Sequence, residues 1–472
     1  MKKAQLVFVP SPGIGHLATT VEFAKLLVSQ HDGLFITMFI MNLPYDSKAG
    51  AYIDSLIASS SIDPRISFFN LPQVDMDTGI KPMLFLVSFI EKQKLHVREA
   101  VHRLIAQSDS PRLAGFVVDM FCTTMIDVAN EFGVPTYAFF TSNAGFLGLM
   151  LHFQQLRDEK VVDTAELKND LETELVVPSF VNRVPVKVLP DVILDENRVD
   201  YVFNFFRRIR ETKGILVNTF VDLESHAVHS FSDGETPTVH PVGPILNLKV
   251  DDQNEIVKWL DDQPESSVVF LCFGSMGYFS ERQVREIASA IEQSGFRFIW
   301  ALRKPPPKGK INFPSEYEDF REVLPDEFFD RTAEIGKVIG WAPQVTILSH
   351  KAIGGFVSHC GWNSILESLW YGVPIATWPF QAEQQLNAFE MVKELGLAVE
   401  ITLDYKRDLS GEDNKIVLSA KEIEEGLRKV MEHDSDIRKK VKIISEKSRK
   451  ALSSGGSSHS SLHRLINDVM DL

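Results

Sequence analysis

The 472-residue sequence predicts an α/β protein of two doubly wound domains, each a parallel sheet with helices on both faces. Three observations predict it. Short apolar runs alternate with helical patterns through the first half, the chain opens on a strand, a Gly-rich turn and a helix, and the same cycle restarts after a Pro-rich stretch near His240. Near-continuous apolar strands of this kind are buried on both faces, as parallel strands are.

Taken in order, Gln5 to Pro10 is an apolar strand, Ser11 to Gly15 a turn, and Leu17 to Val28 a helix with Leu17, Val21, Ala24, Leu27 and Val28 along one stripe. Further strands are read at Leu34–Met41, Ile66–Phe69, Ala114–Val118, Thr136–Phe140 and Ile215–Val217, with a helix over Met83–Ile105 between them. From Arg157 to Asn197 the chain turns polar and then Pro-punctuated, with no clear periodicity. His240-Pro241-Val242-Gly243-Pro244, followed by acidic residues, marks the domain boundary, so that residues 1–243 form the first domain and 244–456 the second.

The second cycle runs through the strand Ser267–Phe273, the turn Gly274-Ser275-Met276-Gly277 and a helix from Ser280. Phe298–Leu302 is a strand, Pro305–Pro314 a loop rich in Pro and Lys, Asp404–Asp413 a charged insertion and Ala420–Leu452 helical. Ser453 to Ser458 is a break before an amphipathic end, Leu462, Leu465, Ile466, Val469 and Met470, which packs on its own chain.

Composition excludes several functions. With 49 Lys+Arg against 64 Asp+Glu the net charge is −15, a poor footprint for a nucleic-acid or anionic-membrane binder. Cys122, Cys272 and Cys360 are an odd set without metal spacing and read as core thiols in a reducing compartment. No apolar stretch reaches the length of a spanning helix, and the apolar start breaks at once into Pro-Ser-Pro-Gly, too short for a signal peptide. A cytoplasmic, metal-independent monomer is expected.

Chemistry concentrates between Trp341 and Gln384. Ile353, Phe356 and Val357 lead through His359-Cys360-Gly361 into Asn363-Ser364, after which Ile365, Leu366, Leu369 and Trp370 fall at helical spacing. This predicts strand, tight turn and helix, with Ser364 or Asn363 as the cap. A helix N-terminus is a seat for phosphate, an indole can stack on a planar base, and Glu367, Glu383 and Gln384 can bond sugar hydroxyls. Each residue alone has an ordinary structural explanation; the whole spacing does not.

In the first half, His16 follows the first strand's turn and Asp119 follows Ala114–Val118. Ligands in open α/β sheets sit beyond the strands' carboxyl ends. A His backed by a carboxylate there is a general base held in one tautomer. Gly13-Ile14-Gly15-His16-Leu17-Ala18 also satisfies G-x-G-x-x-A, the fingerprint of a nicotinamide oxidoreductase, but a lone match is weak and the second strand ends in Met41-Asn42-Leu43-Pro44 without the required acid. Asp75-Met76-Asp77 reads as a solvated turn rather than a metal site.

The order W-A-P-Q at Trp341, H-C-G-W-N-S at His359 and E-Q at Glu383, together with P-x-x-G-I-G-H and V-V-D upstream, resembles the plant family-one UDP-glycosyltransferases over nearly the whole chain. The resemblance implies a GT-B fold, two Rossmann-like domains facing a cleft, with the last helix, 457–472, crossing back to the first domain. Residues 157–197 would then be a mobile excursion over the cleft rim. The resemblance implies a donor site in which Trp341 stacks on uracil, Gln344 and Ala342 lie beside it, and Glu367 holds the ribose. Ser275, His359, Asn363 and Ser364 would hold the diphosphate, and Thr141, Trp362, Glu383 and Gln384 the sugar. His16 and Asp119 would be the catalytic pair, with Gly15, Phe85, Phe121, Phe146 and Phe380 on the acceptor side. The expected reaction is inverting transfer of glucose from UDP-glucose, a co-substrate, to a hydroxyl of a flavonoid, phenylpropanoid, lignan or terpenoid, with no cofactor. A non-catalytic nucleotide-sugar binder would keep this signature box, Trp341 to Gln384, but have no use for the His16–Asp119 pair.

Overall fold

The computed structural model describes residues 3–43, 48–58, 62–76, 82–106, 109–232, 234–307, 314–406 and 416–471. Asp77 of the acid-x-acid triplet, residues 308–313 of the Pro/Lys loop and residues 407–415 at the charged insertion lie outside them. The chain forms two compact units: residues 1–162, 197–247 and 450–472 in the first, and 163–196 with 248–449 in the second. Each has its own parallel sheet and core, in the GT-B class.

In the first unit, β1 (Ala4–Val9), β2 (Leu34–Ile40), β3 (Ile66–Asn70), β4 (Arg112–Asp119), β5 (Thr136–Phe140), β6 (Gly214–Val217) and β7 (Thr238–Pro241) pair in the order β3-β2-β1-β4-β5-β6-β7, all parallel. The order reverses between β1 and β4, so the crevice of this sheet opens where those two strands end. One face is covered by the helix Ile14–Gln30 and by the C-terminal helix Ser457–Asp471, whose Leu462, Leu465, Ile466 and Val469 are buried. The other face carries the helix Pro82–Ile105, with Phe89, Ile90, Val97 and Val101 buried against Val7, Phe116 and Val118.

The second unit repeats the plan with β8 (Val268–Cys272), β9 (Arg297–Ala301), β10 (Gly336–Ile339), β11 (Ile353–Ser358), β12 (Ile375–Thr377) and β13 (Ala398–Glu400), ordered β10-β9-β8-β11-β12-β13 and parallel throughout. Its switch point is between β8 and β11. The core beneath is aromatic: Trp378 is fully buried and meets Phe273, Phe279 and Tyr405 edge-on at 5.8, 5.0 and 5.9 Å between centroids.

Several expectations change. The first helix begins at Ile14, not Leu17, because Gly13 takes φ 117° and turns the chain into the helix at once; Gly15 and His16 are thus inside its first turn. The stretch at His240 holds a seventh strand, and the first unit continues to Asn247. Ala420–Leu452 is two helices, Ala420–Met431 and Asp436–Leu452.

Residues 163–196 belong to the second unit and carry short elements, including the paired strands Glu174–Leu175 and Val184–Pro185. They are fastened there by Phe180 against Phe389 at 6.1 Å, and by the Val181 and Asn182 backbone N–H groups, which donate to the Glu394 carboxylate at 3.0 and 2.6 Å. Such anchors are single contacts between distant residues, so no periodicity announces them.

Candidate functional site

At the switch point of the first sheet, β4 ends on Asp119 and β1 leads through its turn to His16. Nδ1 of His16 lies 2.8 Å from Asp119 Oδ2, and Asp119 Oδ1 accepts from the Phe121 N–H at 3.0 Å. The carboxylate is fully buried, whereas the imidazole is about one third exposed. A carboxylate can only accept, so Nδ1 carries the proton, and Nε2 is left with a lone pair. That is the tautomer a general base needs. Asp119 thus holds the imidazole, and the helix Ile126–Glu131 has Met125 at its cap.

Thr141 follows β5 with Oγ1 3.2 Å from the same Nδ1, while Asn143 caps the helix Ala144–Asp158 by accepting from Phe146 N at 2.6 Å. Thr141 thus meets the imidazole, and Asn143 closes the start of the helix that follows. Phe121 packs on His16 with ring centroids 5.5 Å apart, and meets Phe205 at the same distance on its other side. Phe121 and Phe205 line a cavity of about 260 Å³ together with Ile90, Glu91, Lys94 and Arg208. Phe85 stacks on Phe89 at 6.3 Å, and Phe146 is buried beside Phe140, so both pack with core rings. Gly15 leaves open space where a side chain would stand. Phe205 comes from the helix Val199–Ile209, whose apolar stripe at Val202, Phe203, Phe205, Phe206 and Ile209 was the signal that could have found it.

The second unit brings together most of the box. The helix Trp362–Tyr371 starts two or three residues earlier than the spacing predicts, with Gly361, which has no side chain, as its cap. Asn363 and Ser364 therefore sit inside that turn, where backbone N–H groups lack intrahelical acceptors and the dipole is positive. Gln344 opens the helix Gln344–Leu348 and donates through Nε2 to Ser364 Oγ at 2.9 Å and Glu367 Oε2 at 2.7 Å. One amide ties three predicted donor residues into a cluster. Gln384 turns its Oε1 to the N–H groups of Phe380 and Gln381 at 3.0 and 3.1 Å, so its NH₂ is the end left to meet a ligand. Glu383 stands at the cap of the helix Gln384–Phe389.

His359, after β11, and Ser275, after β8, line a second cavity of about 110 Å³ with Gln384 and Phe380. The ring of Phe380 is itself buried against Phe273 and Phe279. Gly274 takes φ 70°, and a Cβ there would stand 2.7 Å from His359 Nε2; only glycine fits. His359 Nδ1 is buried without a hydrogen-bond partner, and burial pushes the imidazole down to about 4. It is neutral at physiological pH and would serve a diphosphate as an N–H donor, not as a cation. Trp341 and Ala342 follow β10, the indole 57% exposed.

Burial drives the Glu367 carboxyl up to about 7, against the bond from Gln344, which favours the ionised form. Raised above the unfolded value, it contributes stability that is complete below about pH 4.5 and is lost as the pH rises through 7. Glu367→Gln keeps an oxygen for Gln344 but cannot ionise. Since the side chain is partly open to water, the variant is expected to gain about 1–2 kcal/mol over the parent at pH 8. It should gain almost nothing at pH 5. Thermal melts at both values check this, and an equal gain at each would mean an ordinary carboxylate.

The chain is similar to known proteins along nearly its whole length. The family described as UDP-glucoronosyl and UDP-glucosyl transferase matches residues 223–433. A UDP-glucose flavonoid 3-O-glucosyltransferase of Fragaria ananassa is 55% identical, covering 99% of each chain. The chain belongs to the plant family-one UDP-glycosyltransferases. A UDP-glycosyltransferase of Malus domestica is 56% identical over 99% of this chain and all of its own. Among solved structures, a Siraitia grosvenorii transferase in complex with UDP superposes with TM-score 0.86 at 50% identity, covering 99% of this chain and 100% of its own. A Medicago truncatula glycosyltransferase complexed with UDP-glucose superposes with TM-score 0.87 at 42% identity, covering 99% and 98%. This glycosyltransferase is thus a hexose-transferring enzyme, and the glycine fingerprint at Gly13 is part of its first strand-turn-helix rather than a nicotinamide site. No helix among the described residues is long and apolar enough to cross a membrane.

Proposed function

We propose that this glycosyltransferase moves glucose from UDP-glucose to a hydroxyl of a small aromatic acceptor of the flavonoid type, inverting the anomeric centre, with His16 as general base. The observation that carries the proposal is the 2.8 Å bond between His16 and the buried Asp119, which holds the lone pair on Nε2. The acceptor side is the first unit, where Phe121 flanks the imidazole. The donor side is the second, where Trp341 takes the uracil face and Glu367 the ribose hydroxyls.

The acceptor oxygen loses its proton to Nε2 of His16 as it attacks the anomeric carbon, and the bond to the UDP oxygen breaks on the opposite face. Asp119 stabilises the imidazolium that results. Negative charge grows on the leaving diphosphate, where the first turn of Trp362–Tyr371, the Ser275 hydroxyl and neutral His359 supply fixed donors. None of these has to reorganise during the step. The Gln384 NH₂, oriented by its bonds to the 380–381 backbone, fits a sugar hydroxyl, and supports glucose as the sugar.

The test is UDP release from UDP-glucose across a panel of flavonols, simple phenols and terpenoid alcohols, with the anomeric configuration of the product read by NMR. A β-glucoside from a phenolic acceptor is expected. A product that keeps the donor's α configuration, or no release with any of the panel, would refute the proposal.

A further inference from the structure

Trp341 is a large apolar side chain left 57% exposed, whereas Arg303, close by, is only 9% exposed. The two are brought together by strand register. β9 and β10 are parallel neighbours with Ala301 opposite Ile339, and Leu302 N–H donates to Ile339 O at 2.9 Å. Two residues on from that pair stand Arg303 and Trp341. The guanidinium carbon lies 5.4 Å from the centre of the indole, within the range of a cation–π contact. A charged group this far out of water demands partners. Arg303 has two: Nη2 donates to Pro314 O at 2.6 Å and Nη1 faces Glu316 at 3.6 Å. The returning segment that supplies them is pinned by reciprocal backbone bonds between Lys304 and Ser315, at 2.8 and 3.0 Å. Nε remains buried without a hydrogen bond. Burial at that cost is explained if the charge serves the ring.

We infer that Arg303 is a positioning residue for the nucleotide: held by Pro314 and Glu316, its guanidinium lies over the Trp341 ring and fixes the indole as the platform for the uracil base. The inference rests on the reading of Trp341 as the base-stacking residue. It assigns a role in donor affinity to a side chain outside the signature box, acting through Trp341 and not by touching the sugar.

The experiment compares Arg303→Met, Trp341→Ala and the double variant by calorimetric titration with UDP and by steady-state kinetics with UDP-glucose. Arg303→Met is expected to raise the UDP-glucose KM and the UDP Kd about tenfold, the scale of one desolvated cation–π contact, with kcat within about twofold of the parent. The double variant should be no weaker than Trp341→Ala alone, because the arginine has nothing to act on once the indole is gone. Additive losses, an unchanged Kd in Arg303→Met, or a fall in kcat without a change in KM would overturn the inference. If Trp341→Ala itself leaves UDP affinity unchanged, the base-stacking reading fails first; if it weakens UDP and Arg303→Met does not, only the role of Arg303 fails. Should Arg303→Met not fold, Arg303→Lys and Arg303→Gln give the same contrast. The lysine variant is expected to bind UDP more tightly than the glutamine variant, and equal affinities would refute the inference.

Discussion

His16→Ala is expected to lower kcat for a phenolic acceptor by a factor of about 10²–10⁴, with little change in the UDP-glucose KM. The factor corresponds to roughly 3–5 kcal/mol of barrier, the usual value of a positioned base. It falls on kcat because proton removal accompanies attack and contributes nothing to ground-state binding of the donor. Asp119→Asn should fall in the same direction for a different reason. An amide at that position can donate its N–H to Nδ1 of His16, which moves the ring proton to Nε2 and removes the lone pair. The measurement is initial-rate UDP release from the two variants beside the parent. Near-parent turnover in His16→Ala would take the imidazole out of the mechanism. A fall in melting temperature matching the fall in rate would point to folding instead.

Ending the chain at residue 456 is expected to prevent the first unit from folding. The helix it removes buries Leu462, Leu465, Ile466 and Val469, each at most 2% exposed, in the same cluster as Leu6, Phe8 and Val21. It also takes away the Ser458 hydroxyl bond to Gly243 O at 2.5 Å, and the Val469 carbonyl that Arg112 donates to at 2.9 Å. At about 1.5–3 kcal/mol for each buried aliphatic side chain, the apolar loss is on the order of 6–12 kcal/mol, an upper figure because the unfolded chain is already partly compact. A domain's whole stability is about 5–15 kcal/mol. The truncated chain should be insoluble or digested at low protease where the full chain is resistant. The graded version is Leu465→Ala, at about 2–5 kcal/mol by denaturant melt. Parent-like protease resistance of the truncated chain would show the helix to be dispensable.

Much of this molecule is recorded locally along the chain. Burial on both faces of a strand requires an apolar run, and a buried helix face requires apolar residues at 3.6-residue spacing. Strands such as Thr136–Phe140 and helices such as Ile14–Gln30 could therefore be read to within a few residues. The stretch from Trp341 to Gln384 was legible for a related reason, since its residues fall at strand ends and at the starts of the helices that follow them, Gln344–Leu348, Trp362–Tyr371 and Gln384–Phe389. Caps were less legible. Asn363 and Ser364 are good capping residues by type, but the cap is Gly361 and both fall inside the first turn.

By itself the sequence determined the two parallel sheets, the order of their strands along the chain, and the residue types waiting at the strand ends. Only the tertiary structure decided which ends meet. His16 and Asp119 are 103 positions apart and become neighbours because the strand order reverses between β1 and β4. Arg303 reaches Trp341 because β9 and β10 run in register. Residues 163–196 join the second unit through Phe180 and Glu394. Periodicity encodes what each segment must bury, whereas the pairing of distant segments is fixed by crossover connections and side-chain packing, and these leave no repeat in the chain to be read.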